Sequence, residues 1–222
     1  MKRTLALSLA LLVFTPLGAE ENEDLKEEGF TPLLNGKNLD NFEQRNGTAT
    51  YRIEKNAIVG KTNEGSPNSF LCTKKQYGDF ELRFEVKVDD RLNSGVQIRS
   101  ASKGGKPSGR VHGPQVEIAT NGTAGFIYGE ALGTGWLSSD KARSNPEAKK
   151  AFNKGKWNKY RVVAQGKSIK TWINGVPIAN LVDEKSKMMK GFIGLQVHGI
   201  RKGTGPYEVR WRNLFIKELG KE

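Results

Sequence analysis

The chain has 222 residues, 36 basic and 24 acidic side chains, a formal net charge of +12 and one cysteine, Cys72. One cysteine excludes an internal disulfide and a cysteine metal cluster, so stability has to come from an apolar core, which a chain of this length can build. The basic excess attracts anions, but Lys and Arg are scattered along strand-like segments without a dense block or a nucleic-acid motif, so a solvated basic exterior is expected and no nucleic-acid partner.

In chain order, Lys2 and Arg3 open on an apolar run from Thr4 to Phe14, followed by Pro16, Leu17, Gly18 and Ala19. A charged start, a short apolar run and small residues read as a signal peptide over residues 1–19, and hence as a periplasmic or secreted protein. The run is shorter than the roughly 20 residues that cross a bilayer, so no membrane span is expected. Residues 20–28, EENEDLKEE, have almost nothing apolar to bury and read as a disordered spacer. The domain is expected over residues 29–222. Residues 29–222 keep 33 basic and 18 acidic side chains, a net +15.

Within the domain the period is two. In Phe80–Val88, FELRFEVKV, five apolar residues alternate with four charged ones, the pattern of a half-buried antiparallel strand. Strands are also predicted at Thr50–Ile53, Ala57–Gly60, Ser69–Thr73, Gly95–Ser100, Pro114–Ala119, Gly125–Tyr128, Phe192–Val197 and Tyr207–Lys217. Tyr160–Ile178 reads as a three-strand meander. Its Asn174-Gly175 pair fits a type I′ hairpin, and Pro177 suits only an edge strand. Pro146–Phe152 is expected to form one or two helical turns. Short strands separated by turn residues make the fold class all-β, a two-sheet antiparallel sandwich or jelly roll.

Four segments are richer in polar residues than a plain sandwich needs. Gln97 and Arg99 share a strand face with Gly95, next to Asn93. Gln115 and Glu117 share another. If the two strands are neighbours, these four side chains form one polar patch. Gly-rich segments then carry Tyr128 and Trp136, aromatic rings suited to the C–H faces of sugars. Gln196 and His198 share a third strand face, and His198 is a candidate proton carrier. Taken singly, each pair is also what an ordinary strand exterior looks like. There is no nucleophile elbow, H-E-x-x-H, phosphate loop or dinucleotide fingerprint.

These segments carry a resemblance. Phe30-Thr31-Pro32-Leu33-Leu34-Asn35-Gly36-Lys37, Gly78-Asp79-Phe80-Glu81-Leu82, Asn93-Ser94-Gly95-Val96-Gln97-Ile98-Arg99, Gly113-Pro114-Gln115-Val116-Glu117-Ile118, Gly194-Leu195-Gln196-Val197-His198 and Trp211-Arg212-Asn213-Leu214-Phe215-Ile216 follow one another as in the 3-keto-disaccharide hydrolase (DUF1080) family. The resemblance covers nearly all of residues 29–219. It implies a concanavalin-like or laminarinase-like jelly roll and an exported enzyme acting on glycosides whose C3 hydroxyl is already oxidised to a ketone. Many members of the family read acid-x-amide where this chain reads Gln115-x-Glu117. Both positions face the same way, so the groups stand in exchanged places.

On this resemblance, the expected catalytic residues are Glu117 as base, Arg99 as the group that stabilises an enolate, and His198 as acid. Asn93, Gln97, Gln115, Tyr128, Trp136 and Gln196 are expected to bind the sugar. No cofactor is expected, although a divalent metal ion is an alternative electrophile to Arg99. The partner is a carbohydrate, and the oligomeric state is left open. The competing reading is a non-catalytic carbohydrate-binding module of the cell envelope.

Overall fold

The computed structural model describes residues 24–220. The expected signal peptide, residues 1–19, lies outside the described residues. Two antiparallel sheets pack face to face, as the alternation predicts. One runs in the order β13 (Val176–Val182), β12 (Ser168–Ile173), β11 (Asn158–Gln165), β6 (Phe80–Val88), β15 (Glu208–Glu218), β4 (Ala57–Lys61) and β3 (Thr50–Glu54), with β1 (Thr31–Pro32) also paired to β15. The other runs in the order β10 (Gly135–Trp136), β9 (Ile127–Glu130), β8 (Val111–Ile118), β7 (Ser94–Ser102), β14 (Phe192–Val197), β5 (Ser69–Thr73) and β2 (Phe42–Asn46).

Strand β6 shows why the layers form. Phe80, Leu82, Phe84, Val86 and Val88 are all buried, and Lys87 is exposed. Glu85 departs from the simple pattern: Arg212 and Asn213 cover it and donate to its two oxygens. Across the interior the β6 side chains join Val96 and Ile98 of β7, Val116 and Ile118 of β8, and Leu195 and Val197 of β14 in one apolar cluster. Each such side chain contributes about 1.5–3 kcal/mol on burial. The Asn174-Gly175 turn has φ of 51° and 84° and joins β12 to β13. Pro177 lies on β13, an edge strand of its sheet.

Three features depart from the sequence reading. Strands β1, β2 and β10 add short edge segments, and a second short helix, Asp140–Arg143, precedes the expected one at Pro146–Lys150. The spacer is not wholly free of the fold. Residues 24–27 form a helical turn, and Leu25 is buried against Phe30 and Phe215. A single apolar residue among charges finds a partner that composition cannot reveal.

The third departure lies in β7. Its pairing with β8 shifts between Gln97 and Ala101, and Arg99 takes φ +49°. Such a bulge interrupts the alternation of faces. Ser100, not Arg99, comes beside Gln97, its Oγ donating to Gln97 Oε1 at 2.6 Å. No helix among the described residues is long and apolar enough to cross a membrane.

Candidate functional site

The site is built on the outer face of the seven-stranded sheet. Register sets Gln196 of β14 opposite Gly95 of β7, and Gly95 opposite Glu117 of β8. One step along, Gln97 faces Gln115, and Gln115 faces Tyr128 of β9. Gly95 is needed here for close approach: a Cβ at this position would lie 2.5 Å from Gln115 Cδ. The missing side chain leaves room for the Gln115 amide to lie along the sheet.

Glu117 is held by amides. Gln115 Nε2 donates to its Oε1 at 2.7 Å, and Asn93 Nδ2 donates to its Oε2 at 3.2 Å. The chain of donors runs further back. Gln97 Nε2 donates to Gln115 Oε1 at 2.8 Å, and Ser100 Oγ to Gln97 Oε1. Each step fixes which end of the next amide is the donor, so the row is aimed at the carboxyl group. Burial pushes the Glu117 carboxyl up to about 7, with the charge of Glu130 adding to the rise and the Gln115 and Asn93 donors opposing it.

Above Glu117 lies a hollow of about 220 Å³, room for a pyranose ring. Asn93, Gln115, Glu117 and Gln196 line it together with Tyr128, Trp136 and His198. Tyr128 and Trp136 pack edge to face with centroids 5.3 Å apart, and Arg143 lies over the Trp136 ring at 4.7 Å. His198 is exposed at the rim. Its Nδ1 lies 2.8 Å from the Gly199 carbonyl. A carbonyl only accepts, so Nδ1 carries a proton, which leaves Nε2 as the ring nitrogen turned away from Gly199.

Gln196 is the most telling member. It is 0% exposed, and neither Oε1 nor Nε2 has a hydrogen-bond partner among the described residues. A buried amide without partners costs free energy in the empty protein and is suited to a polar ligand. Gln196→Met keeps the shape and removes both polar atoms. The variant is expected to melt higher than wild type, by an amount equivalent to about 1–2 kcal/mol, while sugar affinity falls. A lower melting temperature with undiminished sugar affinity would contradict this.

Two sequence-derived site residues lie elsewhere. Arg99 does not join Glu117. The bulge sends its guanidinium to the other sheet, where it donates to Gly78 O at 2.7 Å, Gly166 O at 2.6 Å and Asp79 Oδ1 at 2.7 Å. Its donors are taken up by these partners, and it is not among the residues that line the hollow. Gln97 lies two residues along β7 from Gly95 and does not line the hollow, and its amide orients Gln115 instead of meeting sugar. Conversely, Glu130, Asn121 and Thr123 line the hollow without having been singled out. Glu130 had a signal, since it lies two residues after Tyr128 and so on the same strand face. Asn121 and Thr123 sit in a tight Asx-type turn, Thr123 N donating to Asn121 Oδ1 at 3.1 Å.

A larger groove of about 540 Å³ crosses the outer face of the other sheet, but its charges are matched internally, Arg83 and Arg161 both pairing with Glu81. Among the described residues, no three His, Cys, Asp or Glu side chains are grouped so as to hold a metal ion. Cys72 is buried, and burial raises its thiol pKa, so it is a core residue and not a nucleophile.

Comparison with known proteins agrees with the geometry. A candidate glycosyl hydrolase from Parabacteroides distasonis superposes with a TM-score of 0.65 at 23% identity, over 89% of this chain and 97% of that one. A Bacillus subtilis protein of unknown function with a galectin-like fold gives 0.61 at 12% identity, over 87% and 96% of the two chains. A carbohydrate-binding module from Bacillus subtilis gives 0.51 at 15% identity, over 80% and 95%. At such identities these likenesses establish the jelly-roll fold alone. No curated protein matches the chain in sequence. The model of one protein family, described as the 3-keto-alpha-glucoside-1,2-lyase-like domain, matches residues 29–217, which is nearly all of the folded part. The chain therefore belongs to the family of 3-keto-α-glucoside-1,2-lyase-like domains.

Proposed function

We propose that this protein is an exported enzyme that cleaves the glycosidic bond of 3-keto-glycosides by elimination across C1 and C2, with water adding back afterwards. The observation that carries this reading is Glu117, a buried carboxyl with a pKa of about 7 at the floor of a ring-sized hollow. A general base works best with a pKa near the working pH. A plain sugar-binding module has no need of such a group, and strongly displaced carboxyls concentrate at reactive sites.

The chemistry follows from the ketone. A C3 carbonyl acidifies the C2 hydrogen. Glu117 takes that proton, and the C–H electron pair moves into a C2–C3 enolate. The enolate re-forms the carbonyl, the C1–C2 double bond forms, and the C1–O bond breaks with its electron pair on the departing oxygen. Charge grows on the C3 oxygen during the first step. Gln196, with a free Nε2 donor in a water-poor setting, is placed to meet it, the part expected of Arg99 from the sequence. Tyr128 and Trp136 hold the ring faces, and Asn93 and Gln115 keep the carboxylate aimed. His198, in its Nδ1–H form, accepts from a sugar hydroxyl through Nε2 and can donate a proton there only as the imidazolium.

The test uses methyl 3-keto-α-glucoside and its unoxidised parent. Turnover is expected with the keto-sugar alone, with a conjugated enone visible in the ultraviolet before water adds, and with a primary isotope effect when C2 carries deuterium. Equal cleavage of the parent sugar would refute the reading, as would binding of the keto-sugar without cleavage.

A further inference from the structure

Elimination leaves one part unassigned, the proton for the departing oxygen. We propose that Glu130 supplies it, as a second catalytic carboxyl facing Glu117 across the hollow. This inference rests on the elimination reading above.

Glu130 ends β9, on the same face as Tyr128, and pairs with Gly113 of β8. Gly113 has no side chain to stand beside it. The Glu130 side chain lines the same space as Glu117, Gln196 and His198, and these two carboxyls are the acidic groups among the described residues lining the hollow. Asn68, beside β5, and Arg110 stand near enough to the Glu130 carboxyl to favour its charged form. The side chain is half-buried and forms part of the wall of the hollow.

Burial raises the Glu130 pKa, while Arg110, His198 and Asn68 oppose the rise. The charge of Glu130 in turn raises Glu117. Repulsion of this kind is mutual, so ionisation of one carboxyl favours the proton on the other. The pair shares one proton at intermediate pH, and the elimination draws on the microstate in which Glu117 is the ionised partner, as base for C2–H, and Glu130 the protonated one, as acid for the glycosidic oxygen. His198 is less suited, because its Nδ1–H is engaged by the Gly199 carbonyl and its side chain stands exposed at the rim.

In the step, the O–H bond of Glu130 breaks as the C1–O bond breaks. Its proton goes to the departing oxygen, and Glu130 is left as carboxylate. Glu117 holds the proton taken from C2. The site thus ends with the two protonation states exchanged, and the reverse transfer, as water adds to C1, restores them.

Leaving groups separate the two roles. Full-length wild type, Glu130→Gln and Glu117→Gln are compared on two 3-keto-glucosides, one with an acidic nitrophenol that departs unaided and one with an alkyl alcohol that needs a proton. Glu130→Gln is expected to lose about 10²–10³-fold in kcat/KM on the alkyl glycoside and to stay within about threefold of wild type on the nitrophenyl one. Glu117→Gln is expected to fail on both. The surviving nitrophenyl activity shows that Glu130→Gln folds. Equal loss of Glu130→Gln on both substrates, or no loss on either, would overturn the assignment to Glu130 while leaving elimination standing. A wild-type enzyme inert on both would overturn elimination itself, and this inference with it. Glu130→Ala is expected to regain alkyl-glycoside turnover when formate is added, and no gain counts against the proposal.

Discussion

Glu117→Gln should lower kcat on a 3-keto-glucoside by about 10²–10⁴-fold, the usual worth of a positioned acid–base group, while the protein stays folded. The replacement amide has the size of the carboxyl it replaces. Its oxygen still accepts from Gln115 Nε2, and its nitrogen meets Asn93, whose own amide can turn to accept. The same substitution has a signature in stability. The folded pKa of about 7 lies above the ordinary 4.5. Between these values the native state binds the extra proton, so stability falls as pH rises through that window and is level above it. The gap corresponds to roughly 3 kcal/mol of burial cost to the ionised form. Gln cannot ionise, so the melting temperature of Glu117→Gln, measured against wild type, should gain between pH 5 and pH 8. The wild-type rate on a nitrophenyl 3-keto-glucoside, whose leaving group needs no proton, should rise with pH through an apparent pKa near that of the carboxyl. Turnover within threefold of wild type, or a melting difference that does not change with pH, would remove Glu117 from the role of base.

Much of this site is written in the period-two pattern, because on a regular strand parity alone decides the face. Gln115, Glu117 and Gln196 project from β8 and β14 as alternation places them, and Tyr128 and His198 meet the same hollow. Parity stops being a guide at the first irregularity. Nothing in Gln97-Ile98-Arg99-Ser100 marks a bulge, since no Gly or Pro occurs there. The register shift is a consequence of how β7 meets its neighbours. Arg99, two residues past Gln97, was therefore placed on the wrong face. Glu130 failed for a different reason: the strand predicted at Gly125–Tyr128 is observed at Ile127–Glu130, and the last residue carried the chemistry. Strand β2 was illegible because in Phe42–Asn46 only Phe42 is buried. Its place at the sheet edge rests on backbone pairing with β5, which leaves no pattern in side chains.

Arg99→Met should be the most destabilising of these substitutions and should leave the chemistry nearly alone. The guanidinium is buried and makes three hydrogen bonds, to Gly78 O, Gly166 O and Asp79 Oδ1, which tie β7 to the start of β6 and to the turn between β11 and β12 in the facing sheet. Met fills the stem but leaves two carbonyls and a carboxylate without their donor. Asp79 keeps only the Gly166 amide, at 3.1 Å. Removing one partner of a buried charge pair costs about 3–5 kcal/mol, which for a domain of this size lowers the melting temperature by roughly 10 °C. Asp79→Asn should cost less, because the two carbonyls still hold the guanidinium. At a temperature where Arg99→Met remains folded, kcat should stay within about tenfold of wild type, since no atom of Arg99 reaches the hollow. A charged group that stabilised the enolate would behave in the opposite way, with an unchanged melting temperature and a kcat reduced about 10²–10³-fold. That outcome would return Arg99 to the active site and require the bulge in β7 to rearrange when substrate binds.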